Sequence, residues 1–308
     1  MTLSTADALW RIRRGLKVAV LDVGSNTVRL LVAARGATGL VPVREERQHL
    51  MLGEEVERFG RISDEKLAAT ARCATRYARA ARELGVGRLD VIVTAPGRQS
   101  ENADELVQAL AAATGASVRI LSADEEGRLA YQGAVAAAAS LPQTVAVCDV
   151  GGGSTELVVG NPIFGPAWSR SIDLGCVRLT ERLLVEDPPG KAAMAAAAEE
   201  VERHLEGLTP PLPLAALATG GTARALRKVV GETLGAEELA LAARRLAKRS
   251  SREVAKTNAL DRTRARTLPA GALVLAAVQR RLCVPFAVSR AGLREGAALE
   301  LLAEQRAA

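Results

Sequence analysis

The stretch Val145–Val159, VAVCDVGGGSTELVV, decides how this chain reads. An apolar run suited to a core strand ends on a carboxylate, Asp149. It passes through three glycines and two hydroxyls, then resumes as a second apolar run. Much earlier, Val18–Val32 says nearly the same thing: VAVLDVGSNTVRLLV. Each copy reads as strand, tight turn, strand. The shared Asp-Val-Gly at one position in both copies marks an internal repeat, so two similar domains are expected, each opening with a hairpin.

The turns carry chemistry. Glycine adopts left-handed angles and has no side chain to block a ligand. Backbone N–H groups can then converge on one point and form an anion nest suited to phosphate. Gly151, Gly152, Gly153, Ser154 and Thr155 offer one nest, and Gly24, Ser25, Asn26 and Thr27 a second. Asp149 stands at the lip of its nest, where it would repel a phosphate unless a cation lay between them. Asp149 and Glu156, with Asp22 at the first turn, are therefore the candidate ligands for Mg²⁺ or Mn²⁺. A third turn, Gly220-Gly221-Thr222, also follows a strand and opens a helix, where N–H groups and the helix dipole favour anions. Taken alone, any one of these turns is an ordinary glycine hairpin. The series of three is what points to a polyphosphate held in a cleft.

The bulk numbers fit and exclude. The chain has 308 residues, 48% hydrophobic and 25% charged, which suits two ordinary domains. Aromatics make up 2%, too few for a base-stacking platform, so no nucleic-acid partner is expected. The formal charge of +6 favours a polyanionic ligand. Four cysteines without a CxxC pair and two histidines leave neither a disulfide framework nor a zinc site, and suit a reducing cytoplasm. Residues 1–16, which include Trp10, carry no apolar run of signal-peptide or membrane-spanning length, so no membrane association is expected. The working expectation is a cytoplasmic homodimer.

Between the motifs, helix and strand signals alternate as in an α/β chain. In the first half, helices are expected at 64–84, 102–114 and 124–139, with strands at 88–95 and 117–121. The second half repeats the plan, with strands near 167–172, 213–219 and 285–289. Its helices are expected at 177–186, 191–206, from Gly220, 236–258, 270–282 and 293–304. The expected domains are 1–125 and 126–308, with the last helix free to pack back on the first.

Seven motifs resemble the exopolyphosphatase / guanosine pentaphosphate phosphatase family of the actin–sugar kinase–Hsp70 superfamily, in its short two-domain form. They are DVGSNTVRLLV (22–32), TAPGRQSEN (94–102), SADEEGRLAYQG (122–133), DVGGGSTELVVG (149–160), DLGCVRLTE (173–181), ATGGTARAL (218–226) and GLREGAAL (292–299). The resemblance implies an α/β fold of two ribonuclease-H-like (actin-like ATPase) domains around a central cleft. It implies that Glu126 is the catalytic base, orienting water for in-line attack on a terminal phosphoryl group. From the sequence alone, neighbouring Glu125 serves equally well. The resemblance also places Arg98 and Asn102 on a phosphate-contacting loop, although Ala95-Pro96-Gly97 lacks the serine donor usual there. Arg29, Arg178 and Arg294 are weaker phosphate candidates, and Arg266 stands where an acid is common. The implied substrate is inorganic polyphosphate or guanosine pentaphosphate. A non-catalytic polyphosphate or nucleotide sensor and a distant sugar or acetate kinase remain the other readings.

Overall fold

The computed structural model describes residues 17–37 and 39–307; Trp10 and the rest of 1–16 lie outside them. β1 (Lys17–Val23) and β2 (Thr27–Arg35) form the first hairpin, and β3 (Leu40–His49) extends it at the edge. α1 (Leu52–Phe59) and α2 (Asp64–Glu83) follow. β4 (Arg88–Val93) then pairs parallel to β1. After α3 (Ala95–Gln99) and α4 (Ala103–Thr114), β5 (Val118–Ile120) closes a sheet of order β3-β2-β1-β4-β5. β1 is buried on both faces, which is why its sequence is a continuous apolar run. Ala19, Leu21 and Val23 pack with α2 and α4, and Val18 and Val20 face the opposite layer.

α5 (Ala123–Ala136) leads into the second sheet. β6 (Val145–Val150), β7 (Thr155–Asn161) and β8 (Gly165–Ile172) repeat the first three strands antiparallel. α6 (Cys176–Leu183) and α7 (Gly190–His204) precede β9 (Ala215–Thr219), which pairs parallel to β6 as β4 does to β1. α8 (Gly220–Val230), β10 (Thr233–Leu234), α9 (Ala236–Leu246), α10 (Ser251–Asn258) and α11 (Arg262–Leu282) follow. Then come β11 (Phe286–Val288) and α12 (Leu293–Ala307). The second sheet runs β10-β11-β9-β6-β7-β8. Apart from the added β10, its order repeats that of the first.

Several elements differ from the sequence reading. β3 and α1 were not anticipated. β3 is an edge strand whose outer residues are charged, so it shows no apolar run. α1 begins after Met51 in a left-handed conformation with no side-chain cap, so it lacks a start signal. The single helix expected at 236–258 is two, separated at 247–250, because Ser250 and Glu253 form a capping box. α11 starts at Asp261, whose side chain accepts from Thr263, and carries Pro269 in its interior instead of starting behind it.

The division drawn at 125/126 falls inside α5, and α5 serves both sheets. Leu129 and Ala130 pack with Val18, Val20 and Leu31 of the first sheet, and Tyr131 and Ala134 with Val145, Val147 and Val158 of the second. α12 joins the first group through Leu293, Ala297, Ala298, Leu301 and Leu302. The backbones of α5 and α12 touch: a Cβ on Gly133 would overlap the Gly292 carbonyl and fall 2.7 Å from the Gly296 nitrogen. Gly133→Val should therefore lower stability by ~1–3 kcal/mol or more. A urea midpoint unchanged from wild type would contradict this crossing.

Candidate active site

β1, β6 and β9 all end at one cavity of about 90 Å³ between the two sheets. Asp22 and Asp149 reach it one residue before their strands end, one carboxylate from each domain. The two turns close over it. Gly24 N–H donates to the Thr27 carbonyl at 3.0 Å, and Gly151 N–H to the Ser154 carbonyl at 2.9 Å, so both are tight turns of the same form. They lie against each other: a Cβ on Gly153 would stand 3.0 Å from Ser25 Oγ. The third turn completes the ring. Gly220 has φ +80, and a Cβ there would collide with Asp149 Oδ1, so only glycine fits.

Burial dominates the electrostatics. It pushes the Asp22 carboxyl up to about 6, against the attraction of Arg29 and Arg294, and Asp149 adds to the rise. Asp149 is raised for the same first reason, against Arg224, Arg29 and Arg264. Facing these carboxylates, Arg29 and Arg264 line the cavity. Both guanidiniums press on the third turn, since a Cβ on Gly221 would fall 2.7 Å from Arg264 Nη2 and 2.8 Å from Arg29 Nη2. Their hydrogen bonds go to hydroxyls: Arg29 Nε donates to Thr27 Oγ1 at 3.1 Å, and Arg264 Nη1 to Thr222 Oγ1 at 3.4 Å. Burial and then the neighbouring guanidiniums Arg294 and Arg224 depress Arg29 to about 9, which leaves it a cation at neutral pH.

The start of α5 separates the two adjacent glutamates. Glu125 closes a capping box: its carboxylate accepts from the Ser122 N–H and hydroxyl, both at 2.8 Å, which holds its pKa below the usual carboxylate value. Glu126 turns inward and lines the cavity. Burial raises its carboxyl to about 7, with Arg98 opposing and Asp149 and Asp22 reinforcing the rise. Arg98 Nη1 lies 2.8 Å from Glu126 Oε2. Arg98 Nη1 also donates to the Leu121 carbonyl at 2.8 Å, which anchors the guanidinium beside the carboxylate.

The cavity gathers Asp22, Gly24, Ser25, Asn26, Thr27, Glu126, Asp149, Gly151, Gly152, Gly153, Ser154, Gly220, Gly221 and Thr222. Other expected residues point elsewhere. Asn102 is buried between α3 and α4, where its amide accepts from the Ile62 N–H and donates to the Ile62 carbonyl, both at 2.9 Å; its work is structural. Thr155 donates to the Leu174 carbonyl and has no exposed surface. Glu156 accepts from Ser171 Oγ at 3.0 Å and does not line the cavity. Among the described residues, no three acids, histidines or cysteines converge as a metal cluster. Arg98 stands beside the cavity, paired to Glu126. Arg178 is taken by Glu57 at 3.0 Å and by Asp173. Arg266 donates to the Leu184 and Val185 carbonyls at the end of α6, which accounts for its charge.

Arg264 and Thr94 were missed. Arg264 sits in RTRARTLPAG, where Arg266 drew the attention. No sequence signal separated them, because Pro269 follows and the stretch before it does not read as helix, although it is one.

Two domains of repeated topology, each opening with the same hairpin and meeting at one cleft, define an actin-like α/β fold. The match of residues 31–305 to the Ppx/GppA phosphatase family model places this chain in that family. It is 35% identical to exopolyphosphatase 2 of Mycobacterium tuberculosis over 208 residues, 64% of this chain and 64% of that protein's length. It is 29% identical to exopolyphosphatase 1 of Mycobacterium bovis over 306 residues, 93% of this chain and 88% of that one. The crystal structure of the Aquifex aeolicus Ppx/GppA family member superposes with a TM-score of 0.79 at 26% identity, covering 95% of this chain and 98% of that one. No described helix is long and apolar enough to cross a membrane.

Glu126 should titrate near 7 when followed by carboxyl ¹³C NMR. Arg98→Ala should move that midpoint higher, since Arg98 favours the charged form. A midpoint near 4.5 in both proteins would contradict the burial described.

Proposed function

We propose that this chain is a phosphohydrolase that releases the terminal phosphate of inorganic polyphosphate. The observation that carries the reading is Glu126: a buried carboxylate, raised to about 7 and held by Arg98, that lines the cavity with phosphate-type turns from both domains. A general base works best with a pKa near the operating pH. The names of the two mycobacterial relatives, both exopolyphosphatases, support the substrate class.

The residues divide the work as follows. Backbone N–H groups of the turns at 24–27 and 151–154 hold the terminal phosphoryl group, and Arg29 and Arg264 offset its charge. Glu126 Oε2 takes a proton from a water molecule as the water oxygen bonds to phosphorus. The bridging P–O bond breaks on the far side, and its electron pair stays with the shortened chain. Asp22 and Asp149 suit Mg²⁺ or Mn²⁺, because two carboxylates raised by burial at one cavity favour a small cation between them and phosphate. When bound, such an ion would neutralise charge on the phosphate oxygens. Guanosine pentaphosphate presents a similar phosphate end to the same residues. The lining of glycines, hydroxyls and charged groups suits the inorganic chain first.

The test is phosphate release from tripolyphosphate, long-chain polyphosphate, guanosine pentaphosphate and ATP side by side. Polyphosphates should give the highest kcat/KM; a clear preference for guanosine pentaphosphate would replace this substrate with the second. Glu126→Gln should lower kcat by ~10²–10⁴-fold with little change in substrate affinity, while Glu125→Gln should act only on stability. Near-normal turnover in Glu126→Gln would reject it as the base. Turnover should also need a divalent cation, and Asp149→Asn should raise the concentration required. Full activity in excess chelator would remove the metal from the account.

A further inference from the structure

His49 ends β3 and takes no part in the chemistry above, yet its ring lies where the two domains meet. It stands opposite Thr27 in the β2–β3 ladder. Its Nδ1 is 3.1 Å from Asn26 Oδ1, in the first phosphate turn. Its Nε2 is 3.8 Å from Asp261 Oδ1, and Asp261 caps α11, the helix that carries Arg264 to the cavity. The chain after His49 serves the same turn. Leu50 and Met51 N–H groups both donate to the Asn26 carbonyl at 3.2 Å, and Gly53 N–H donates to the Ser25 carbonyl at 2.7 Å. Met51 takes φ +57, a left-handed conformation uncommon outside glycine, so this hold on the turn carries strain.

The Asn26 amide has two ends with different needs. Oδ1 faces His49. Nδ2 is buried and meets no acceptor among the described residues, and Asn26 lines the inner cavity while only 5% exposed. The oxygens of an ionised phosphate only accept hydrogen bonds. The amide can therefore serve phosphate only through Nδ2, which keeps Oδ1 for His49 and calls for a proton on Nδ1. Burial lowers the His49 pKa against the attraction of Asp261, and Arg47, Arg264 and Arg29 add to the fall. At neutral pH the ring is then uncharged and has one proton to place. Asp261 attracts that proton towards Nε2, but at 3.8 Å it forms no hydrogen bond there.

We infer that His49 is a positioning residue for phosphate: by donating from Nδ1 to Asn26 Oδ1, it fixes the amide so that Nδ2 is free to donate to an oxygen of the bound phosphoryl group. His49 itself does not touch substrate. The inference rests on the phosphate reading of the cavity above, and adds one side-chain donor to the backbone N–H groups of the turn. That donor meets an oxygen that neither attacks nor leaves. It holds the ground state and the transition state alike, so its loss raises KM more than it lowers kcat.

Three substitutions separate this hydrogen bond from packing. An asparagine amide nitrogen stands where histidine Nδ1 does, and a glutamine amide nitrogen where Nε2 does. His49→Leu should raise KM for tripolyphosphate about fivefold, the effect of one neutral hydrogen bond, with kcat nearly unchanged. His49→Asn should recover most of that loss, and His49→Gln little of it. Calorimetric titration with inorganic phosphate should rank the four proteins in the same order without any turnover. On the wild type, long-range ¹H–¹⁵N correlation should show a proton on His49 Nδ1, a readout that needs no variant to fold. A ring protonated on Nε2 alone overturns the inference. So does an unchanged KM in His49→Leu, or recovery by glutamine and not by asparagine; the hydrolase reading survives both. A wild type that binds phosphate in the expected order of variants, yet cleaves no polyphosphate, rejects the proposed function and supports this inference. A wild type that binds no phosphate overturns it.

Discussion

Opposed charges buried at the meeting of the two sheets are the constraint on which the rest of the structure depends. A carboxylate or guanidinium removed from water costs several kcal/mol unless partners replace its hydration. Here Asp22, Asp149 and Glu126 share one small cavity with Arg29 and Arg264. The groups attract and repel across it, and no arrangement satisfies all of them. The cores offset that cost. β1 and β6 are apolar up to the residue that carries the acid, and helices cover both sheets. Ion pairs outside the cavity fix the approach of the domains: Arg58 to Glu181, and Arg178 and Arg182 to Glu57. Gln99 adds hydrogen bonds to Asp173 at 2.7 Å and to the Gly153 carbonyl at 3.4 Å.

The repeat also explains an asymmetry. Asp22 lies opposite Arg29 in the first hairpin, and Asp149 opposite Glu156 in the second. The same place in the same motif thus supplies a cation from one domain and an acid from the other. The cation lines the cavity. The acid sits behind Glu126, which raises it well above the usual carboxylate range after burial itself. Two such carboxyls titrate as a pair.

The legible part of this site was backbone chemistry. Glycines after an apolar run announce a turn, and the repeated Asp-Val-Gly announced that two turns would match. The less legible part was side-chain direction. Asn102, Thr155 and Glu156 lie within a few residues of the cavity but use their polar atoms on Ile62, Leu174 and Ser171. Sequence neighbours share a turn but not an orientation. Glu125 and Glu126 show this most simply, since one caps α5 and the other faces phosphate turns. Arg264 was hidden for a further reason. Its helix holds Pro269, so the stretch before the proline did not read as helix, and its phase could not be assigned. Edge strand β3 was obscured by its charges, which face outward from the sheet.

The central claim is that the opposed charges gathered at this cavity are not satisfied by the fold alone and are completed by phosphate. Thermal unfolding of wild type and Arg29→Met, with and without tripolyphosphate, tests this most directly. The account predicts that tripolyphosphate raises the wild-type Tm to a plateau, as a ligand of the native state must. It predicts that Arg29→Met, which leaves Asp22 and Asp149 with less opposing charge, melts below wild type without ligand and loses most of that rise. An Arg29→Met protein that keeps the full rise with tripolyphosphate would contradict it.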